Sequence, residues 1–118
     1  PAEEQAGIRR QLSLVLRAVV TQHLLVADGS AVKDRGRERV VVSEVLRATP
    51  AVANLIATGK TSQVYSAMES GSAIGMQTLE ESLAALWTSN RITESSAMAL
   101  ARNPDVVRER ASRIRRGK

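Results

Sequence analysis

Apolar residues recur every three or four positions along most of the chain, which predicts a mainly helical protein. The first such stretch runs from residue 4 to about residue 20. Its apolar side consists of Ile8, Leu12, Val15, Leu16 and Val19. Arg9, Arg10 and Arg17 would mostly face outward, so we expect an amphipathic helix at the start of the chain.

The pattern changes after this stretch to β-branched runs that are typical of strands. We predict a short strand around residues 22–26 and a stronger one over residues 39–46, separated by a polar, charged loop. His23 would lie at the junction of helix and strand, for packing or a hydrogen bond. Together these strands predict a small antiparallel β-hairpin at about residues 22–46.

Helix start signals dominate the rest of the chain, and they predict a helical part over residues 50–116. Most of these signals pair a capping side chain with proline or an acid in the first turn. In chain order they are Thr49-Pro50, Thr61 or Ser62, Thr78 to Glu81, Thr93-Glu94 and Asn103-Pro104-Asp105. Gly71 would end the second of these helices. The predicted fold class is therefore mainly α with a small β-hairpin, in one domain spanning residues 1–118.

A Gly-Lys-Thr tripeptide at residues 59–61 raises the possibility of a phosphate-binding loop. Such a loop needs an earlier glycine, where this chain has Asn54, and a strand leading into it. Here Leu55 and Ile56 instead continue a helix. We therefore interpret Gly59 as a left-handed helix end and Lys60 as a cation near a helix C-terminus.

The composition narrows the range of functions. The chain has 118 residues, no cysteine and one histidine, which disfavours disulfides and a protein-built zinc site. With one Trp, one Tyr and no Phe it offers few rings for base stacking. Trp87 is expected to be a core residue. We find no serine with a histidine and acid beside it, and Glu80 and Glu81 are adjacent on a helix, so no catalytic residues are predicted.

The net charge of +5 arises from the end of the chain. From residue 108 onward there are six basic residues and one acid. The basic residues are Arg108, Arg110, Arg113, Arg115, Arg116 and Lys118. They are either a solvated helix end or an electrostatic contact with anionic lipid headgroups or an acidic partner.

In order, these pieces resemble a known family over about residues 3–107. The segments that carry the resemblance are residues 8–25, Glu44-Val-Leu46, residues 49–56, Gly59-Lys-Thr-Ser-Gln63 and Gly75-Met-Gln-Thr-Leu79. They look like the C-terminal third of the type IV pilus retraction ATPases, the PilT-like branch of the secretion ATPases. The resemblance implies the helical end of a RecA-like motor domain.

Several expectations follow from this resemblance. The family's phosphate loop and its magnesium and histidine motifs would precede residue 1, so this chain would hold no cofactor, whereas ATP and Mg²⁺ would bind to the parent protein. The parent would be a cytoplasmic hexamer beneath an inner-membrane platform protein, with peripheral contact to that membrane left open. No nucleic-acid partner is expected, and the enzymatic status of the chain itself stays open.

The interaction residues implied by the resemblance lie in the family's retraction motif and the turn after it. They are Ala51, Asn54, Leu55, Ile56, Gly59 and Lys60. The family's two arginines and acid are replaced here by Ala53, Ala57 and Thr58, so we expect the helix to persist without its charges.

Two alternatives of another class remain. One is a standalone adaptor domain of the same ancestry. The other is a helix-turn-helix-like DNA-binding module that uses the basic last helix on phosphates.

Overall fold

The structure is a computed structural model that describes residues 2–34 and 36–117, with side chains from residue 4 onward. Pro1, Arg35 and Lys118 lie outside the described residues, so the predicted loop conformation at Arg35 and the last charge of the basic segment are not tested.

Helices and two strands make up the described chain, as predicted. The α-helices are α1 (Ala2–Val15), α2 (Pro50–Ala57), α3 (Val64–Ser70), α4 (Leu79–Thr88), α5 (Glu94–Leu100) and α6 (Pro104–Arg116). Short 3₁₀ turns cover Thr61–Gln63 and Ser72–Ile74, and the strands are β1 (Ala18–Val26) and β2 (Arg39–Arg47). No described helix has both the length and the apolar character that crossing a membrane requires.

The two strands form one antiparallel hairpin. Backbone hydrogen bonds fix its register at both ends, where Ala48 N–H donates to the Arg17 carbonyl and Ala27 N–H to the Glu38 carbonyl. On its outer side β2 also pairs through Val45 with Gln77, by two backbone hydrogen bonds of 2.8 and 2.9 Å. The predicted hairpin is therefore confirmed, although both strands are longer than expected.

The prediction for the first helix was wrong at its C-terminal end. The helix ends at Val15 and a strand begins at Ala18, because the β-branched pair Val19-Val20 pairs with β2 rather than extending α1. The apolar side of this helix is largely exposed: Ile8 is 61% and Val15 70% accessible. Periodicity shows that a face is apolar, but it does not show that anything covers that face.

Local cap chemistry predicted the starts of α2, α5 and α6 well, but not that of α3. The expected start at Thr61 or Ser62 was wrong: these residues form a 3₁₀ turn, and α3 begins at Val64 without a side-chain cap. Thr49 accepts a hydrogen bond from Val52 N–H at the start of α2, with Pro50 in the first turn. Thr93 does the same for Ser96 N–H at the start of α5. Pro104 opens α6, although the Asn103 side chain makes no cap hydrogen bond. These positions follow from sequence because a cap needs only its own neighbours.

The chain divides into two compact units. Unit 1 comprises Pro1–Thr21 and Glu44–Thr78, and unit 2 comprises Gln22–Ser43 and Leu79–Lys118. The buried core of unit 2 consists of Ala27, Val32, Val40, Val42, Leu79, Leu83, Ala84, Ile92, Ala97, Val107 and Ala111. The core of unit 1 consists of Val52, Met68 and Met76. That both units act as the single predicted domain stays a prediction.

Candidate interaction site

The helix that resembles the retraction motif, α2, lies in unit 1 and packs against α1. Val52 is fully buried against Met68 and Met76, and Ile56 packs on the same cluster. Ala51 and Asn54 are exposed on another face, and Leu55 is half-buried. Of the predicted site residues, Ile56 therefore serves the core, whereas Ala51 and Asn54 are available to a partner.

At its C-terminus α2 turns in the way expected for a helix end. Gly59 has a φ of 73°, in the left-handed region that favours glycine. Gly59 N–H donates to the Ile56 carbonyl at 3.1 Å, and Lys60 N–H donates to the Leu55 carbonyl at 2.9 Å. These two bonds form a Schellman motif. The interpretation of Gly59 as a helix stop is confirmed.

The same geometry differs from that of a phosphate-binding loop. A helix, not a strand, leads into the tripeptide, and the Lys60 amide is already bonded to α2. A phosphate loop needs free backbone amides that converge on the anion. Lys60 itself is exposed, so its ammonium group is accessible to a partner.

The side chain of Arg9, from α1, lies against the C-terminal end of α2. Sequence reasoning missed this contact. A Cβ placed on Gly59 would lie 3.3 Å from Nη1 of Arg9 and 3.6 Å from Cζ. The guanidinium therefore lies against the C-terminus of α2, where a cation is favoured by the helix dipole. The turn at Gly59 and Lys60 therefore has a second cation, Arg9, beside it. Because Arg9 comes from a helix about fifty residues earlier in the chain, no local sequence pattern could reveal this contact.

The basic residues of α6 do not form one free patch in the described chain. Arg108 forms ion pairs with Glu94 (3.6 Å) and Asp105 (3.4 Å). Glu109 pairs with Arg113 at 2.8 Å and with Arg110 at 3.9 Å.

The Arg115 guanidinium lies 4.7 Å from the centre of the Trp87 ring, a cation–π contact. Trp87 packs against the core of unit 2, as predicted. Arg116 is exposed. Most of these arginines therefore have partners within the chain, and an electrostatic contact with another molecule stays a prediction.

Asp28 is a second residue that sequence reasoning missed. Its carboxylate accepts hydrogen bonds from Thr93 N–H at 2.9 Å, from the Thr93 hydroxyl at 3.0 Å, and from the Ser96 hydroxyl. Desolvation by burial would raise the pKa of Asp28, but the hydrogen bonds from Ser96 and Thr93 outweigh it and lower that pKa below its usual value. Asp28 ties the end of β1 to the start of α5.

Glu80 holds the joint between α5 and α6. Its side chain is fully buried, and Oε2 accepts hydrogen bonds from Arg102 N–H at 3.0 Å and Asn103 N–H at 3.3 Å. From the sequence, Glu80 was only one of two adjacent acids at the start of a predicted helix. Its partners lie more than twenty residues away, so nothing local indicates this role.

His23 lies in β1, half-buried, and not at a helix–strand junction, because the strand begins earlier than predicted. Among the residues that the structure describes, no group of three or more His, Cys, Asp or Glu side chains could hold a metal ion.

Comparison with known proteins shows which proteins this chain resembles. No family model matches the chain. The type IV pilus retraction ATPase PilT of Pseudomonas aeruginosa is 38% identical over 105 residues, which is 89% of this chain and 28% of that protein. A twitching motility protein of Neisseria gonorrhoeae is also 38% identical over 105 residues, 89% of this chain and 26% of its own length.

A solved structure agrees with the sequence match. The crystal structure of the pilus retraction motor PilT with bound ADP superposes with a TM-score of 0.73 at 30% identity, over 92% of this chain and 28% of that one. The fold is thus that of part of a pilus motor ATPase. The chain is homologous to the C-terminal part of PilT, and it spans little more than a quarter of the relatives that it matches. The resemblance predicted from sequence is confirmed.

Nothing in the comparisons or in the described residues supports the helix-turn-helix alternative. Arginines of α6 that would contact phosphates are largely bound to Glu94, Asp105, Glu109 and Trp87 instead.

Proposed function

We propose that this chain serves as the C-terminal part of a PilT-like ATPase that powers type IV pilus retraction or a related secretion process. In this proposal it contributes subunit packing and force transmission, whereas ATP and Mg²⁺ bind elsewhere in the parent protein. The observation that carries the proposal is the match to PilT in both sequence and fold over about nine-tenths of the chain.

The absence of a nucleotide site from this segment is supported by the turn at residues 59–60. Its amides close the end of α2 and are not directed at an anion. In the proposed parent, a hexameric cytoplasmic ring beneath an inner-membrane platform protein, this segment would move with the nucleotide-bound part rather than hold the nucleotide.

Subunit packing is supported by the exposed apolar surface of α1. Ile8, Leu12, Leu14 and Val15 are all exposed and border an apolar concavity of about 480 Å³. Contiguous exposed apolar surface of this kind marks a place where another protein surface binds. We propose that a neighbouring part of the motor covers it.

The altered motif in α2 supports a modified mode of retraction. Ala53 and Ala57 are half-buried on α2, and the Thr58 hydroxyl donates to the Asn54 carbonyl at 2.8 Å. The helix persists without the charges, as expected, so partner contacts here would depend on Asn54, Lys60 and Arg9. We propose that the parent protein serves a pilus or secretion machine other than that of the named relatives.

A chimaera tests both the assignment of this chain as part of the motor and the proposal of a modified mode of retraction. The matching residues of Pseudomonas aeruginosa PilT are replaced by this chain, and ATPase activity, ring assembly and twitching are measured. We expect assembly and ATPase activity to be retained and twitching to be reduced. The matched variant, Ala53→Arg with Ala57→Arg and Thr58→Glu in the chimaera, should recover twitching.

A folded chimaera that neither assembles nor hydrolyses ATP would contradict the motor-part assignment. Full twitching without the three substitutions would contradict only the proposal of a modified mode.

A further inference from the structure

Unit 1 contains a second concavity, of about 330 Å³, whose walls carry two arginines. It is lined by Arg17, Arg47, Ala48, Thr49 and Ile74. Hydrogen bonds fix the backbone around it: Ala48 N–H donates to the Arg17 carbonyl at 2.8 Å, and Thr49 N–H donates to the Arg47 carbonyl at 2.9 Å. The cavity therefore lies where the end of α1, both strands and the start of α2 meet.

Among the described residues, no acidic side chain balances the charge in this cavity. Arg47 donates from Nη1 to the Ile74 carbonyl at 2.9 Å, so its guanidinium is oriented by a neutral group. Among the described residues, no carboxylate forms an ion pair with Arg17 or Arg47, and no Asp or Glu lines the cavity. The arginines of α6 differ, because several of those have acidic partners.

Two guanidinium groups that share a concavity repel each other, and an anion between them relieves this repulsion. Planar guanidinium groups offer paired N–H donors that match the oxygens of a phosphate group. The positive end of α2 begins at the same wall, after Thr49, and adds to the favourable potential. The cavity holds more than one water-sized volume, so a tetrahedral oxyanion fits.

We propose that Arg17 and Arg47 form a binding site for a phosphate group. The source is either free inorganic phosphate or the phosphate of an anionic lipid headgroup, which present the same oxygens. The site is separate from Lys60 and does not depend on the proposed motor function.

Inorganic phosphate titrated into the full chain at constant ionic strength tests the first source. We expect saturable shifts of the backbone amide resonances of Ala48, Thr49 and Ala51. Arg17→Gln and Arg47→Gln should each weaken this binding at least tenfold. Arg10→Gln, which removes an exposed arginine of α1 outside the cavity, should change it less than twofold.

Vesicles test the second source. Phosphatidylglycerol vesicles, compared with phosphatidylcholine vesicles, should bind the chain in a manner lost in Arg17→Gln with Arg47→Gln but kept in Arg10→Gln. Saturable binding of inorganic phosphate that depends on both arginines identifies free phosphate as a ligand. Arginine-dependent vesicle binding without saturable binding of inorganic phosphate identifies the lipid headgroup as the ligand. If neither probe depends on Arg17 and Arg47 while the variants remain folded by circular dichroism, the proposal is overturned.

Discussion

The two compact units of this chain are stabilised in different ways. Unit 2 has a buried core that includes Leu83, Ile92 and Val107, and two carboxylates, Asp28 and Glu80, tie its loops to backbone amides. The only hydrophobic side chains that unit 1 buries among its described residues are Val52, Met68 and Met76, and one face of α1 is apolar and exposed. Unit 2 thus covers its apolar side chains and loop amides within itself, whereas unit 1 leaves the apolar surface of α1 uncovered, as the proposed packing against a neighbouring part of the motor requires.

Each unit also contains a helix that ends in the same left-handed turn, but the turn in unit 2 is covered and the turn in unit 1 is exposed. At the end of α4, Asn90 has a φ of 61° and Arg91 N–H donates to the Leu86 carbonyl at 2.9 Å, as Gly59 and Lys60 do for α2. The α4 turn is then covered by a loop in which a Cβ at Gly29 would lie 2.0 Å from the Asn90 carbonyl oxygen. The α2 turn leaves Lys60 exposed.

Core truncation should have the largest effect and separates the units most directly. Leu83→Ala should lower the free energy of unfolding by about 3 kcal/mol, because it leaves a cavity in the main core. Val52→Ala in unit 1 should cost about 1 to 2 kcal/mol, since it removes less buried surface. Urea unfolding measures both, and a larger loss for Val52→Ala would contradict the comparison.

Removal of the Glu80 carboxylate should have the next largest effect. Glu80→Ala should cost about 2 kcal/mol, because the amides of Arg102 and Asn103 lose a charged acceptor in a buried place. Glu80→Gln keeps an acceptor oxygen and should lose less. Thermal unfolding of the two variants provides the test; equal and negligible losses would show that the carboxylate does not hold this joint.

Asp28→Asn should reveal a pH-dependent contribution of the Asp28 carboxylate to the free energy of unfolding. Because the folded-state pKa of Asp28 is lowered, its contribution is fully present above the unfolded-state pKa, about 3.9, and is lost as the pH falls through the folded value. We expect the free energy of unfolding of the wild type, measured by urea denaturation, to exceed that of Asp28→Asn by roughly 1 kcal/mol near pH 6. This margin should shrink as the pH falls below 4. A difference that stays constant with pH would show that the ionised Asp28 carboxylate does not stabilise the fold through its hydrogen bonds with Thr93 and Ser96.

Gly59→Ala should have the smallest effect, about 1 kcal/mol of destabilisation, because alanine is strained at a φ of 73°. Gly7→Ala is the matched control: Gly7 lies within α1 with nothing within 4 Å of an added Cβ, so this change should stabilise the helix by about 0.5 to 1 kcal/mol. Chemical denaturation of both proteins should give opposite signs, and equal signs would refute the helix-stop geometry.

Local signals account for what could be predicted from sequence. The caps at Thr49 and Thr93, the helix start at Pro104 and the stop at Gly59 depend on a few neighbouring residues, and the structure places them as expected. The end of α1 was misplaced because an apolar run with valines suits a helix or a strand, and pairing with β2 decides between them.

Tertiary contacts account for what could not be predicted. Arg9 at Gly59, Asp28 at Thr93 and Glu80 at Arg102 join positions between twenty and sixty-five residues apart, and no spacing in the sequence announces them. The exposure of α1 is likewise invisible, since an apolar stripe looks the same whether its cover lies in this chain or in a neighbour.

The most direct test of the account is equilibrium binding of Mg·ATP to the purified chain and to its Lys60→Ala variant. Because the amides around Lys60 close the end of α2, we predict that the two proteins give the same isotherm, with no saturable site that depends on Lys60. Saturable ATP binding that is lost in Lys60→Ala would show that Gly-Lys-Thr does hold a triphosphate, and it would contradict the assignment of this chain as a motor segment without its own nucleotide site.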